Sequence, residues 1–255
     1  ILFRLVGSEM CIRDRRGAEL IGLPENFAFI GDDARRLEIA PALAEQASRF
    51  LVTMARRYQV VILGGGFPVP VGDDAHTFQR AQLVGRDGQI LSSYDKIHLF
   101  DVDLPDGSSY RESAGFSSGA ELPPVVDVPG LCRVGVSICY DVRFPELYRH
   151  LIGAGAELLM IPAAFTAFTG KDHWQVLLQA RAIENTAYVL APAQTGTHAG
   201  RRQSHGHAMV IDPWGTVLAD AGVSAGAAIA PVDLDHLQRI RTQMPCLQHR
   251  RTALF

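Results

Sequence analysis

Arg133-Val134-Gly135-Val136-Ser137-Ile138-Cys139-Tyr140-Asp141-Val142-Arg143-Phe144-Pro145-Glu146 reads as a strand that turns a corner into a helix. Up to the cysteine the residues alternate. Val134, Val136 and Ile138 share one face, and Gly135, Ser137 and Cys139 share the other. Pro145 then opens a helix whose apolar face is Leu147, Tyr148, Leu151 and Ile152. A strand at Leu158–Ile161, an amphipathic helix carrying Trp174, Leu177, Leu178 and Ala182, and a strand at Tyr188–Ala191 continue the alternation. Such a succession builds α/β layers around a sheet core.

The flanks extend the pattern. Ala18–Leu23 reads as a short buried strand, and Leu43, Ala47, Phe50, Leu51, Met54 and Tyr58 recur at helical spacing. Val60–Leu63 is a β-branched run that Gly64-Gly65-Gly66 is expected to stop. Ala81–Val84 and Gln89–Ser93 flank Arg86-Asp87-Gly88 as a hairpin. A second hairpin joins Ala208–Ile211 and Thr216–Ala219 around Asp212-Pro213-Trp214-Gly215, before a strand near Ala227–Val232 and a helix at Leu234–Met244. With no repeat or flexible linker, residues 16–255 form a single domain. At 255 residues and 47% hydrophobic the chain is a folded globular protein, and its net charge of −3 argues against a nucleic-acid partner. No apolar run approaches the ~20 residues of a membrane span. The four cysteines form no C-x-x-C pair, which suits a reducing cytoplasm.

Three segments bear chemistry. Cys139 ends its strand on the face of Gly135 and Ser137, whose small side chains are expected to leave room for a ligand, and backbone N–H groups at the corner can receive an oxyanion. Alone, Cys139 also reads as a small buried hydrophobe. Leu23-Pro24-Glu25-Asn26-Phe27 places a carboxylate after a strand, and Ser93-Tyr94-Asp95-Lys96-Ile97-His98 places a lysine after another. Together they supply a base, a cation and a nucleophile, the inventory for acyl transfer through a thioester. Among the nine histidines, His198, His205 and His207 offer a rival reading as a metal cluster, or one histidine as a partner of Cys139. Arg181 and Glu184, three apart on a helix, read as a surface or interface ion pair.

With these segments in order, the chain resembles the nitrilase superfamily of carbon–nitrogen hydrolases over nearly its whole length, from about Arg16 to Phe255. The resemblance implies a four-layer αββα sandwich that forms a homodimer or larger homo-oligomer. It makes Glu25 the general base, Lys96 the oxyanion-stabilising cation, Cys139 the nucleophile and Glu112 a supporting glutamate, with the backbone N–H of Tyr140 completing the oxyanion site. No metal or organic cofactor is implied. His173–Glu184, Gly206–Val217 and Met244–Arg251 resemble the amidase branch that hydrolyses deaminated glutathione to 2-oxoglutarate and cysteinylglycine. The neighbouring omega-amidase branch, acting on 2-oxoglutaramate, shares the 2-oxoglutaryl half of the substrate. A scaffold that keeps the fold without the chemistry is the reading from another class. Arg143 suits a substrate carboxylate, or equally an ion pair with Asp141 or Glu146, and Phe165 and Thr166 suit pocket walls.

Superfamily chains open with a strand and a long helix ahead of the strand that delivers the glutamate. Here that strand and most of that helix are expected to be missing. Residues 1–15 (ILFRLVGSEMCIRDR) read as a non-native or divergent leader, and marginal stability is expected in consequence.

Overall fold

Alternation in strand β2 (Val61–Pro70) sorts the molecule into layers. Val61 and Leu63 point into one core, and Ile62 points into another. The second core is filled by Leu43, Ala47, Leu51 and Ala55 of helix α1 (Asp33–Tyr58), capped at Asp32, whose carboxylate accepts from Arg35 N. Around β2 lies a four-stranded sheet in the order β1 (Leu20–Gly22), β2, β3 (Thr77–Val84), β4 (Ile90–Asp95). β1 runs parallel to β2, and the remaining pairs are antiparallel. The computed structural model describes residues 17–73, 75–198 and 202–251.

β5 (Asp101–Asp103) and β6 (Ser109–Arg111) make a small hairpin beyond β4. The second sheet contains β7 (Val125–Asp127), β8 (Arg133–Val136), β9 (Leu158–Met160) and β10 (Tyr188–Ala191). Helix α2 (Pro145–Gly153) connects β8 to β9, and α3 (Ala167–Asn185) connects β9 to β10. The central trio β8, β9 and β10 is parallel. After β10 come the hairpin of β11 (Thr195–Thr197) and β12 (Gln203–His205), then β13 (Met209–Ile211), β14 (Val217–Asp220) and helix α4 (Leu234–Gln243). β13 and β14 extend the second sheet.

The two sheets meet face to face. Leu63, Leu83 and Tyr94 of the first share a core with Val134, Val136, Leu158 and Met160 of the second. Leu147, Tyr148 and Leu151 of α2 and Trp174 and Leu178 of α3 close that core from outside. The order is therefore helix, sheet, sheet, helix: a four-layer αββα sandwich.

Two expectations change. β2 does not stop at the glycines but runs through them with a bulge between Gly64 and Phe67. At Gly65 a Cβ would lie 2.1 Å from the Leu23 carbonyl oxygen and 2.3 Å from Pro162, so only glycine lets β2 pass there. The stretch near residues 227–232 is irregular instead of a strand. It lines a groove of about 680 Å³ with β1, which is an edge strand, and neither finds a ladder partner there among the described residues. The expectation about residues 1–15 lies outside the described residues.

Candidate active site

Short connections after three strands converge on one point. Leu23 N donates to Leu63 O at 2.8 Å, which extends the β1 ladder to within two residues of Glu25. Lys96 follows β4 directly, its N–H donating to Gln79 O at 3.0 Å. Glu112 begins a 3₁₀ turn (Glu112–Ala114) after β6. Lys96 Nζ donates to Glu25 Oε1 at 3.0 Å and to Glu112 Oε1 and Oε2 at 2.8 and 2.9 Å. Glu25 Oε2 accepts from Ala164 N at 2.7 Å, and Glu112 Oε2 from Phe100 N at 2.6 Å. Lys96 and Glu25 are 1% and 2% exposed, so this charged cluster exists only because every member is hydrogen-bonded.

Cys139 reaches the cluster by a backbone twist. The face of β8 that carries Gly135 and Ser137 is not open to a ligand. A Cβ on Gly135 would lie 3.0 Å from Leu151 Cδ2, and Ser137 Oγ bonds Tyr148 Oη at 2.7 Å. Helix α2 has taken that space. Cys139 leaves the strand alternation with φ of 48°, a left-handed value uncommon outside glycine, and its N–H donates to Pro162 O at 2.8 Å. A 3₁₀ turn (Cys139–Arg143) follows, in which Asp141 is the clasp. Its carboxylate accepts from Ile138 N at 2.8 Å, from Tyr94 Oη at 2.8 Å and from His98 N at 3.2 Å, and it pairs with His98 Nδ1 at 2.7 Å. The lysine-bearing segment and the cysteine corner are thereby tied through one buried group.

The charges divide unequally. Burial pushes the Glu25 carboxyl up, but Lys96, assisted by Arg202 and by the neighbouring Cys139 thiol, outweighs it and holds the group below its ordinary value. Burial and the negative Glu25 push Glu112 up, despite Lys96. Lys96 stays protonated, since its two carboxylates overcome the cost of burial. Burial and then Glu25 raise the Cys139 thiol well above its ordinary value. Resting Cys139 is therefore a neutral thiol beside an ionised base, not the pre-formed thiolate of a freely reactive cysteine.

Glu25, Lys96, Glu112, Cys139, Tyr140, Phe165 and Thr166 line one cavity of about 260 Å³. Arg143 lies beside it, its guanidinium 5.2 Å from the Phe165 ring and 5.8 Å from the Tyr140 ring. It pairs with neither Asp141, already saturated, nor Glu146, and its Nη2 meets His173 Nδ1 at 3.3 Å. No histidine lines the cavity among the described residues. His205 and His207 do not share a strand face, because β12 ends at His205 and left-handed Gly206 and His207 follow. Their rings stack at 4.7 Å, His207 pairs with Asp220, and His198 bonds Ser204. Among the described residues no three His, Cys, Asp or Glu side chains are grouped to hold a metal.

The Arg181–Glu184 pair forms at 2.6 Å, but Arg181 is buried, not at the surface, and its Nε donates to Val142 O, fastening α3 to the cysteine corner. Cys132 is buried with its thiol pushed up to about 11 by burial and neighbouring acids. Sequence reasoning missed Ala164 and Arg202. Ala164 acts through its backbone, which no side-chain pattern reveals. Arg202 stands in the loop before β12, and the pairing of Thr166 with Ser204 brings it to the cavity.

A family model for carbon–nitrogen hydrolases matches residues 8–242. A deaminated glutathione amidase of Synechocystis sp. is 60% identical over 237 residues, covering 92% of this chain and 87% of that protein. The deaminated glutathione amidase of Homo sapiens is 40% identical over 246 residues, covering 94% of this chain and 75% of that protein. The crystal structure of the Caenorhabditis elegans NitFhit protein superimposes with a TM-score of 0.93 at 38% identity; the match covers 100% of this chain and 62% of that longer one.

Proposed function

The chain belongs to the carbon–nitrogen hydrolase family and is an amidase, and on that premise we propose that it cleaves deaminated glutathione through a cysteine thioester. The observation that carries the mechanism is the Lys96 ammonium held between Glu25 and Glu112 in the cavity that Cys139 lines. Cys139 Sγ attacks the amide carbon while ionised Glu25 takes the thiol proton. The oxyanion sits between Lys96 Nζ and the N–H of Tyr140, which has no partner among the described residues. A donor of this kind lowers the barrier by about 3–4 kcal/mol. Collapse breaks the C–N bond, and Glu25 returns the proton to the departing amine. A water, deprotonated by Glu25, then attacks the thioester carbon; the C–S bond breaks, the acid leaves and Cys139 recovers its proton. Glu112 keeps Lys96 charged and aimed.

The relatives' names support 2-oxoglutarate and cysteinylglycine as the products. Arg143, free of ion pairs among the described residues, is assigned to the carboxylate of the 2-oxo acid half, with Phe165 and Thr166 as walls. Self-association is supported by an apolar stripe on α3, where Val176 and Ile183 lie two turns apart at 65% and 49% exposure beside Trp214 at 58%. No helix among the described residues is long and apolar enough to cross a membrane, and the free thiols of Cys132, Cys139 and Cys246 suit a reducing cytoplasm.

The deciding experiment measures cysteinylglycine release from deaminated glutathione beside ammonia release from 2-oxoglutaramate. A higher kcat/KM for deaminated glutathione is expected, and the reverse order assigns the protein as an omega-amidase.

A further inference from the structure

The cavity contains four cations, and three are accounted for. Lys96 is held by Glu25 and Glu112. Arg36 pairs with Asp33 and donates to Gly115 O. Arg111 makes a bidentate pair with Asp103, both contacts at 2.8 Å. Arg202 alone meets no carboxylate among the described residues. Its Nη2 donates to Ala164 O at 3.3 Å, its Nε is buried with no partner, and its guanidinium carbon stands 6.0 Å from the centre of the Tyr110 ring. A half-buried guanidinium facing a cavity with donors to spare is built to receive an anion.

Where it stands decides which anion. Ala164 is a shared anchor: its carbonyl holds Arg202 while its N–H holds Glu25 Oε2 at 2.7 Å. Arg202 is thus placed one peptide unit from the group that returns the proton to the departing nitrogen, and close enough for its charge to favour ionised Glu25. The acyl half of the substrate is bonded to Cys139 during the reaction, whereas the nitrogen side faces Glu25.

We infer that Arg202 binds a carboxylate on the departing amine, making it the residue that selects amides with an anionic leaving group over those that release ammonia. This rests on the amidase mechanism and the substrate proposed above. For deaminated glutathione the recognised group is the terminal carboxylate of the cysteinylglycine portion. 2-Oxoglutaramate offers nothing for Arg202 to hold.

The test is the ratio of kcat/KM for deaminated glutathione to that for 2-oxoglutaramate in wild type, Arg202→Gln and Arg202→Lys. Arg202→Gln is expected to lower the ratio at least tenfold, chiefly through KM of deaminated glutathione, and Arg202→Lys to recover part of it. A ratio that moves less than threefold overturns the inference, including the case in which both substrates slow alike because Arg202 serves only Glu25. A binding measurement separates this inference from the substrate assignment. Calorimetric titration of cysteinylglycine and of its C-terminal amide into Cys139→Ser protein should show binding of the acid that exceeds the amide and disappears with Arg202→Gln. If deaminated glutathione is not turned over but this binding pattern appears, the proposed substrate is wrong and the role of Arg202 stands. Equal binding of acid and amide, or binding of neither, overturns it.

Discussion

Glu25 and Glu112 compete for one ammonium, so protons distribute between them as a pair. Burial and the charge of Glu25 push Glu112 up, while Lys96 overcomes burial to hold Glu25 down, so the first proton added on acidification goes to Glu112 and leaves the base ionised. The acid limb of kcat/KM, which reports the free enzyme, should therefore fall in two stages. The upper lies above the ordinary glutamate value of about 4.3 and the lower beneath it. Rate measurements from pH 3 to 8 on wild type and Glu112→Gln check this; the upper stage should vanish in the variant. Lys96, held above its ordinary value once its carboxylates offset burial, sets no alkaline limb near neutrality. The raised Cys139 thiol predicts slow alkylation by iodoacetamide at pH 7.5, slower than that of free cysteine. Cys139→Ser should lose at least about a thousandfold in turnover, of the order of removing one member of a catalytic triad, with an unchanged circular dichroism spectrum. Activity within tenfold of wild type would remove Cys139 from the mechanism. Glu25, Lys96 and Cys139 could be singled out in the sequence because each stands within three residues of a strand end and carries its own chemistry. Arg202 could not, because nothing local distinguishes it from a solvated arginine.

At the scale of elements, what could be read was whatever depends on neighbours in sequence. The face of α2 came out residue by residue: Leu147, Tyr148, Leu151 and Ile152 are its buried side chains. Helical periodicity is a local property, and one packed face suffices to reveal it. The passage of β2 through three glycines was illegible because its cause is tertiary, the approach of Leu23 and Pro162 to Gly65. For the same reason the small residues on the Gly135 face of β8 read as space for a ligand, when they are space for Leu151 and Tyr148. Gly65→Ala forces the β1–β2 contact apart next to Glu25. It should destabilise the fold by about 1–3 kcal/mol, the usual cost of overpacking, and lower kcat; urea unfolding monitored beside activity measures both. Loss of stability with kcat intact would show that the strain relaxes away from Glu25.

For the whole molecule, the exposed stripe of Val176, Ile183 and Trp214 is where a second copy is expected to seat. With a dimer seated on this stripe, Ile183→Asp should shift sedimentation from dimer to monomer, and a profile unchanged by the substitution would remove the stripe as an interface. The same stripe gives the protein an optical handle. Its two tryptophans occupy opposite environments: Trp174 is fully buried with Nε1 donating to His207 O at 2.8 Å, while Trp214 is 58% exposed. Emission from the folded chain should therefore contain a blue component silent to iodide and a red component that iodide quenches. Dilution of the protein should increase the quenchable share as Trp214 is uncovered, and only unfolding should expose Trp174. Fluorescence of the unlabelled protein thus reads assembly and folding on separate channels.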